Sequence, residues 1–510
     1  MDLTRRDFAA GVAAPLFAGA ISARPNIVFL SSDQHSGRLL GSLHPIVKTP
    51  NLDRLARMGV TFRNAYCGNP VCAPGRACMM TGRFASDVGS YCNSTPLGAV
   101  PTWGNHLREA GYECWASGKM DLTLGADYGF EQLQTTHGHS RNPDITSLFR
   151  APVCFRPGER KNVDGRFVDR GPDSDGELAR RAIEAIRSRK RSPWCVYVGM
   201  HMPHPKWVAQ KKYETLYPPA SMPLPEMPPG YLERRHPVFQ VLANFKNVQT
   251  PIPPERIRRA RAAYFGMVSE VDEYVGWLLD ELERSGALAR TLFIYTSDHG
   301  EMMGDHGLWL KNALLENAAR VPLLMAGPGL PRGVAVDTPI SHVDMVATIL
   351  EAAGAPRPKN LRGHSLFPLA GGAAGSHPGY AYSESHSEGN CTGSAMVRKG
   401  DWKYIHFAGD EPLLFNLRDD PGEFTNLAGA KKTRDVQAEL HAILTSLVDP
   451  DEVSARAFAE QQRRLEAMIA AMKPDEFYEE LVGRLGPAQA HVLTQRAYRR
   501  TLPAWRYRPA

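Results

Sequence analysis

No stretch of this 510-residue chain approaches the ~20 consecutive apolar residues that a membrane-spanning helix needs, so no span is expected. The eight cysteines, Cys67, Cys72, Cys78, Cys92, Cys114, Cys154, Cys195 and Cys391, show no Cys-x-x-Cys spacing, which argues against a cysteine-built metal centre. Large domains rarely depend on a cysteine framework; a disulfide becomes available after export, but most of these thiols are expected to be small buried hydrophobes. Long Lys/Arg blocks are also missing, and a formal charge of +6 is modest for this length. Nucleic acid is therefore not an expected partner, whereas small anionic ligands are compatible. No internal repeat is evident, and the length predicts one large domain with a smaller companion.

What is present begins at the N-terminus. Thr4-Arg5-Arg6-Asp7-Phe8 precedes an apolar stretch at 11–20 and small residues up to 23, the pattern of a twin-arginine export signal over 1–24. A periplasmic or secreted location is the expectation. Beyond it, short apolar runs alternate with helical patterns, the rhythm of an α/β fold built on a mostly parallel sheet covered by helices. Three runs read as core strands: Asn26-Ile27-Val28-Phe29-Leu30, Val196-Tyr197-Val198 and Leu292-Phe293-Ile294-Tyr295. Each is followed by polar residues: Ser31-Ser32-Asp33-Gln34, His201-Met202-Pro203-His204 and Thr296-Ser297-Asp298-His299. Ligands of open parallel sheets bind beyond the carboxyl ends of the strands, so the three clusters are expected to converge.

Helices are predicted at 51–57 and at 256–285, where Tyr264, Val268, Val271, Val275 and Leu278 form a packing face and Arg256, Arg258, Arg259 and Arg261 a solvated one. After the Gly- and Ala-rich 371–375, strand-like pieces at 395–398 and 403–407, the turn Asp419-Asp420-Pro421-Gly422 and a helical 432–447 predict a small antiparallel sheet with a helix. The expected organisation is a catalytic domain over 25–375, a small C-terminal α+β subdomain over 376–450 and a helical tail over 451–510.

The most informative segment is Asn69-Pro70-Val71-Cys72-Ala73-Pro74-Gly75-Arg76-Ala77-Cys78-Met79-Met80-Thr81-Gly82-Arg83. Pro74 suits a first helical turn, which would place Cys72 beside an anion-attracting helix N-terminus. Asp33 and Gln34, with Asp298 and His299, offer two carboxylates, an amide oxygen and an imidazole to a divalent cation. Lys311 follows Asp298 within a polar loop. The stretch Gly111-Tyr112-Glu113-Cys114-Trp115-Ala116-Ser117-Gly118-Lys119-Met120-Asp121 supplies a further lysine and carboxylate, and His201 and His204 supply imidazoles for acid or base work.

In order and spacing these motifs resemble the type I sulfatases, of the alkaline phosphatase-like superfamily, from about Pro25 to Leu427. Their Cys-x-Pro-x-Arg core followed by Thr-Gly is matched by Cys72, Pro74, Arg76, Thr81 and Gly82. The resemblance implies a large mixed sheet with a smaller antiparallel one, and oxidation of Cys72 to formylglycine by a formylglycine-generating enzyme. It assigns Asp33, Gln34, Cys72, Asp298 and His299 to one metal ion, with calcium first and manganese or magnesium as alternatives. It also implies that Lys119 and Lys311 hold the substrate anion, that Arg76 offsets charge, that His201 protonates the leaving alcohol and that His204 contacts substrate. Three departures stand out. Gly75 replaces the usual Ser or Ala, Asp121 stands where a histidine helps the covalent intermediate collapse, and Gln34 with His299 replaces an Asp and an Asn.

Hydrolysis of a sulfate ester follows, with a carbohydrate sulfate as first expectation and an aryl sulfate next. The rivals are a phosphonate monoester or phosphodiester hydrolase on the same scaffold, which Gln34 and His299 permit, and a non-catalytic protein that binds sulfated ligands, which Gly75 and Asp121 motivate. The segments 136–170 and 218–254 are candidate specificity regions without a readable motif.

Overall fold

The computed structural model describes residues 24–136, 144–150, 154–189, 191–373 and 377–499. Positions 1–23 of the expected export signal, part of the 136–170 segment and positions 374–376 at the expected subdomain boundary lie outside the described residues.

Asn26–Ser32, Trp194–Gly199 and Thr291–Ser297 are strands in which every residue is buried, which is why they read as apolar runs without alternation. They form the centre of an eight-stranded sheet in the order Val334–Val336, Val60–Phe62, Leu323–Ala326, Thr291–Ser297, Asn26–Ser32, Trp194–Gly199, Glu113–Lys119, Glu131–Thr136. Thr291–Ser297 through Glu131–Thr136 run parallel, and Leu323–Ala326 is antiparallel to both its neighbours. Helices flank the sheet in two groups. Pro50–Met58 and Ser174–Ser188 pack on Pro254–Arg284, and Cys72–Thr81 and Trp103–Glu109 pack on His342–Ala353. Among the described residues no helix is long and apolar enough to cross a membrane, and all eight cysteines are buried and unbridged.

One expectation holds only in part on the long helix. Its arginines are partly exposed but bonded to neighbouring segments: Arg256 donates to the carbonyls of Arg160 and Val163, both at 2.9 Å, Arg259 pairs with Asp164 at 2.9 Å, and Arg258 and Arg261 donate to the Met222 and Met303 carbonyls. These loops arrive from distant sequence and bring acceptors that helical spacing cannot reveal. The guanidiniums thus staple three connections onto the helix.

The smaller sheet is antiparallel in the order Tyr380–Ser385, Ser394–Lys399, Trp402–Phe407, Asp410–Asn416. Leu440 and Leu444 of the helix Arg434–Leu447 pack on its Tyr382, Val397, Tyr404 and Leu414. Three tail helices, Pro450–Ala471, Pro474–Leu485 and Pro487–Tyr498, lay Leu465, Phe477, Leu481 and Leu485 against Ile145, Leu148, Phe149 and Phe245. The tail therefore braces residues 145–149. Buried Arg150 ties the two together by donating to Gln461 Oε1 and to the His386 carbonyl, both at 3.0 Å.

A buried charge network joins the small sheet to the rest of the protein. Glu316 accepts from Tyr66 Oη at 2.6 Å and from Lys403 Nζ at 3.1 Å, and lies 3.4 Å from Arg398. Lys403, wholly shielded from water, also meets Glu423 at 2.8 Å, and Glu423 accepts the Glu316 backbone N–H. Burial works against the Glu316 anion, but Lys403, Arg398 and Arg320 outweigh it and hold the carboxyl well below its ordinary value of 4.5. A depressed carboxyl stabilises the fold above its unfolded pKa and loses that contribution as pH falls through the folded one. Glu316→Gln should therefore cost about 3–5 kcal/mol at neutral pH, as does removal of one partner of a buried pair. Denaturant titrations should show the gap between wild type and variant closing below pH 4.5. A variant as stable as wild type at pH 7 would show that the network does not hold the small sheet in place energetically.

Candidate active site

The central strands deliver their polar ends to one place, and the backbone fixes the convergence. Met200 N–H donates to the Ser31 carbonyl at 2.8 Å, Asp33 N–H to the Met202 carbonyl at 3.0 Å, and Asp298 N–H to the Ser32 carbonyl at 3.2 Å. Facing these loops is the buried helix Cys72–Thr81, which starts at Cys72 itself. Asn93 Oδ1 satisfies one free amide of its first turn by accepting from Ala73 at 3.0 Å.

Ligand atoms of Asp33, Cys72, Asp298 and His299, all fully buried, lie within 4.8 Å of one another. Cys72 Sγ is 3.8 Å from both Asp33 oxygens and 3.3 Å from His299 Nε2. The other ring nitrogen of His299 pairs with the Gly300 carbonyl at 3.0 Å, which turns Nε2 toward the carboxylates. Burial opposes a proton on this imidazole, yet Asp298 draws its proton affinity up, and a cation bound there would replace that proton. Gln34 holds a left-handed backbone, φ 74°, and donates its N–H to Asp298 Oδ1 at 3.0 Å. Its side-chain nitrogen is held by Glu301, and its buried Oε1 has no hydrogen-bond partner. Two carboxylates, an orphaned amide oxygen and an imidazole nitrogen fit a divalent cation.

Around these donors stand three cations. Lys311 Nζ lies 2.6 Å from Cys72 Sγ. Lys119, the last residue of its strand, pairs with Asp33 and lies 3.0 Å from Asp121, which holds φ 52°. Arg76, shielded completely, binds Asp298 at 2.9 Å through Nε and stands 3.6 Å from Asp33. Burial disfavours every one of these charges. Lys119, Lys311 and Arg76 nonetheless hold Asp33 well below the carboxylate range, while Asp121 and Asp33 keep Lys119 well above the usual ammonium value. Lys311 is raised likewise, by Cys72 and Asp33 against its burial. His204 faces this group and stays neutral, because burial and the Lys311 ammonium both depress it well below 6.5.

The predicted residues thus assemble, with His201 set apart. Its side chain is 37% exposed and pairs through Nδ1 with Asp175 at 2.9 Å. The buried Asp175 carboxylate also accepts the backbone N–H groups of His201 and Met202, at 2.7–3.0 Å. Sequence reasoning missed Asp175, which sits in a Ser-Asp-Gly-Glu stretch indistinguishable from an ordinary helix start. It also missed Tyr197, read only as a strand residue, whose Oη accepts from Arg76 at 2.9 Å and donates to the Lys119 carbonyl at 3.0 Å. Glu301 and Lys246, described below, were missed as well.

Residues 25–355 match the family model described as Sulfatase, and residues 304–449 match that of the N-sulphoglucosamine sulphohydrolase C-terminal region. The choline-sulfatase of Rhizobium meliloti (strain 1021) is 33% identical over 486 residues, covering 89% of this chain and 93% of that one. Arylsulfatase K of Danio rerio is 31% identical over 468 residues, covering 84% and 85%. Among solved structures, the phosphonate monoester hydrolase of Agrobacterium radiobacter superposes with a TM-score of 0.70 at 27% identity, covering 83% of this chain and 95% of that one.

Gly75, a departure from the usual Ser or Ala, has a packing reason. A Cβ there would lie 2.7 Å from the Asn69 carbonyl oxygen and 2.8 Å from that of Asp298, so the helix approaches the Asp298 loop more closely than a side chain allows. Gly75→Ala should gain up to ~1 kcal/mol of helix preference and lose about 1–3 kcal/mol to overpacking. A lower denaturation midpoint is the expected net result, and an unchanged or higher one would mean that the two backbones separate without cost.

Proposed function

The chain belongs to the sulfatase family, and from that premise we propose that it hydrolyses an organic sulfate ester with a nucleophile made from Cys72. The observation that carries this reading is the meeting of Cys72 Sγ with Lys311 Nζ at 2.6 Å, beside the buried donor set Asp33, Asp298 and His299. Formylglycine at position 72 would supply an attacking hydroxyl, and a divalent ion held by Asp33, Gln34, Asp298 and His299 would acidify it and polarise a sulfate oxygen. Calcium suits the oxygen donors, and the His299 nitrogen keeps manganese and magnesium in contention.

The chain's own residues do the rest. Lys311 and Lys119 place fixed positive charge where the sulfate oxygens gather charge, and Arg76 holds Asp298 in position while offsetting the carboxylates. Asp121 lies against Lys119 and is the group placed to accept a proton when the covalent species collapses. With Nδ1–H committed to Asp175, the imidazolium form of His201 presents Nε2–H as the group that would hand a proton to the leaving alcohol, and neutral His204 contacts substrate. Asp175 is thus a positioning residue that orients the ring.

A saccharide sulfate is the first candidate substrate, supported by the C-terminal family match, with choline sulfate and aryl sulfates as comparators. The Arg5-Arg6 motif supports export of the folded protein to the periplasm, with Cys72 oxidised by a formylglycine-generating enzyme beforehand. A second reading, a phosphonate monoester hydrolase, is favoured by the relative with the 0.70 TM-score. The non-catalytic reading loses one of its two motives, since packing accounts for Gly75.

Peptide mass spectrometry across Cys72, on protein co-produced with a formylglycine-generating enzyme, should find the aldehyde. Turnover should favour aryl sulfate over aryl phosphonate. An unmodified thiol despite active machinery would remove the proposed nucleophile, and a preference for phosphonate would move the assignment to the second reading. Asp175→Asn should slow an unactivated alkyl sulfate by roughly 100-fold or more while sparing an aryl sulfate whose leaving group needs no proton. Equal loss on both substrates would assign Asp175 a purely structural role.

A further inference from the structure

Lys311 owes its position to a loop with an unusual backbone. Leu310 and Asn312, the residues on either side, both adopt left-handed conformations, φ 66° and 83°, which cost energy unless the surroundings impose them. Two buried side chains of opposite charge do so. Glu301 Oε1 accepts the Leu310 N–H at 2.6 Å and the Met303 N–H at 3.0 Å. Lys246 Nζ donates to the Trp309 carbonyl at 3.0 Å and to that of Lys311. One peptide stretch is thus gripped through its N–H by a carboxylate and through its carbonyls by an ammonium. Both Glu301 and Lys246 are at most 2% exposed.

Glu301 has a second task. Its other oxygen, Oε2, accepts from Gln34 Nε2. An amide whose nitrogen is committed has its oxygen determined too, and Gln34 Oε1 is the buried acceptor left without a protein partner. An aspartate at position 34 would have no N–H to offer Glu301, so the contact is particular to glutamine.

We propose that Glu301 is the positioning residue that sets two parts of the site at once, the Gln34 oxygen toward the metal and the Lys311 ammonium toward Cys72, with Lys246 clamping the lysine side alone. The inference rests on Gln34 being a metal donor and does not require that Cys72 be converted. Metal binding and placement of the anion-holding lysine are then mechanically joined through one carboxylate. Glu301→Gln keeps the shape but cannot accept at every position the carboxylate serves.

The test is calcium and manganese affinity by calorimetry on the full chain in a Cys72→Ser background, where turnover plays no part, with urea unfolding of each variant as a check on folding. Glu301→Gln should weaken metal binding roughly 10- to 100-fold, the usual effect of removing a group that orients a ligand. Lys246→Met should leave metal affinity unchanged. In the Cys72-containing enzyme both variants should lower kcat. Glu301→Gln should have little further effect once Gln34 is Leu, and Gln34→Leu should itself weaken the metal at least tenfold. Wild-type affinity in folded Glu301→Gln, or independent effects of the 34 and 301 substitutions, would overturn the proposal. Should Glu301→Gln fail to fold, Gln34→Leu decides alone, since wild-type affinity there would show that Glu301 orients no ligand. Loss of metal affinity without any sulfatase turnover would leave this inference standing while removing the hydrolase reading.

Discussion

Five charged side chains withdrawn from water, three at the ends of parallel strands, one on a facing helix and one on a loop, set the terms for the rest of this structure. Asp33, Asp298 and Arg76 are fully buried, and Lys119 and Lys311 nearly so. Each would cost several kcal/mol alone, and none can be satisfied by solvent. They are tolerable only as an assembly, with Arg76 on Asp298 and Lys119 on Asp33. The assembly demands rigid surroundings, because a displacement of even one partner strands a charge. That accounts for the continuously buried strands beneath it, the cross-loop backbone hydrogen bonds between the strand ends, and the helix approach that leaves room only for glycine at position 75.

The same demand explains the outer parts. The small sheet is locked on by Glu316, Lys403 and Glu423, and the loop between its first two strands reaches inward as Asn390 donates to the Asn312 carbonyl at 2.8 Å, next to Lys311. The tail helices hold residues 145–149, and Arg464 donates to the Ser94 carbonyl at 3.1 Å, one residue from the Asn93 that caps the Cys72 helix. Segments far apart in sequence are thus load paths to one site.

Much of this was legible because the chemistry lies at strand ends. Asn26–Ser32, Trp194–Gly199 and Thr291–Ser297 announce themselves as apolar runs, and the polar residues after them include the candidate donors, so Asp33, Gln34, Asp298 and His299 could be placed at one site from order alone. Cys72 and Arg76 were readable from a helix start. The supports were not. Asp175 lies 26 positions from His201, and Lys246 lies 65 from Lys311. A buried carboxylate and a buried lysine look in sequence like any surface pair. The arginines of the long helix show the reverse limit, since helical spacing says which residues share a face and nothing of which loops cover it.

Charge also bears on which electrophile the site accepts. Asp33, Asp298 and Asp121 stand against Arg76, Lys119 and Lys311, three negative groups facing three positive ones. On the proposed reading, a divalent cation added to that balance would leave two positive charges to be met in a medium where imbalance is expensive. An ionised hydroxyl at position 72 would meet one, and a substrate carrying a single negative charge would meet the other. Sulfate monoesters and phosphonate monoesters both carry one, whereas a phosphate monoester dianion would overshoot. Net charge therefore separates the first two from the third and does not separate them from each other. Discrimination between sulfur and phosphorus must come from the placement of Lys311 and Lys119 against the tetrahedral oxygens and from how readily His201 serves the leaving group. On the proposed reading, the groups that position Lys311 and His201, namely Glu301, Lys246 and Asp175, would therefore bear on the choice of reaction.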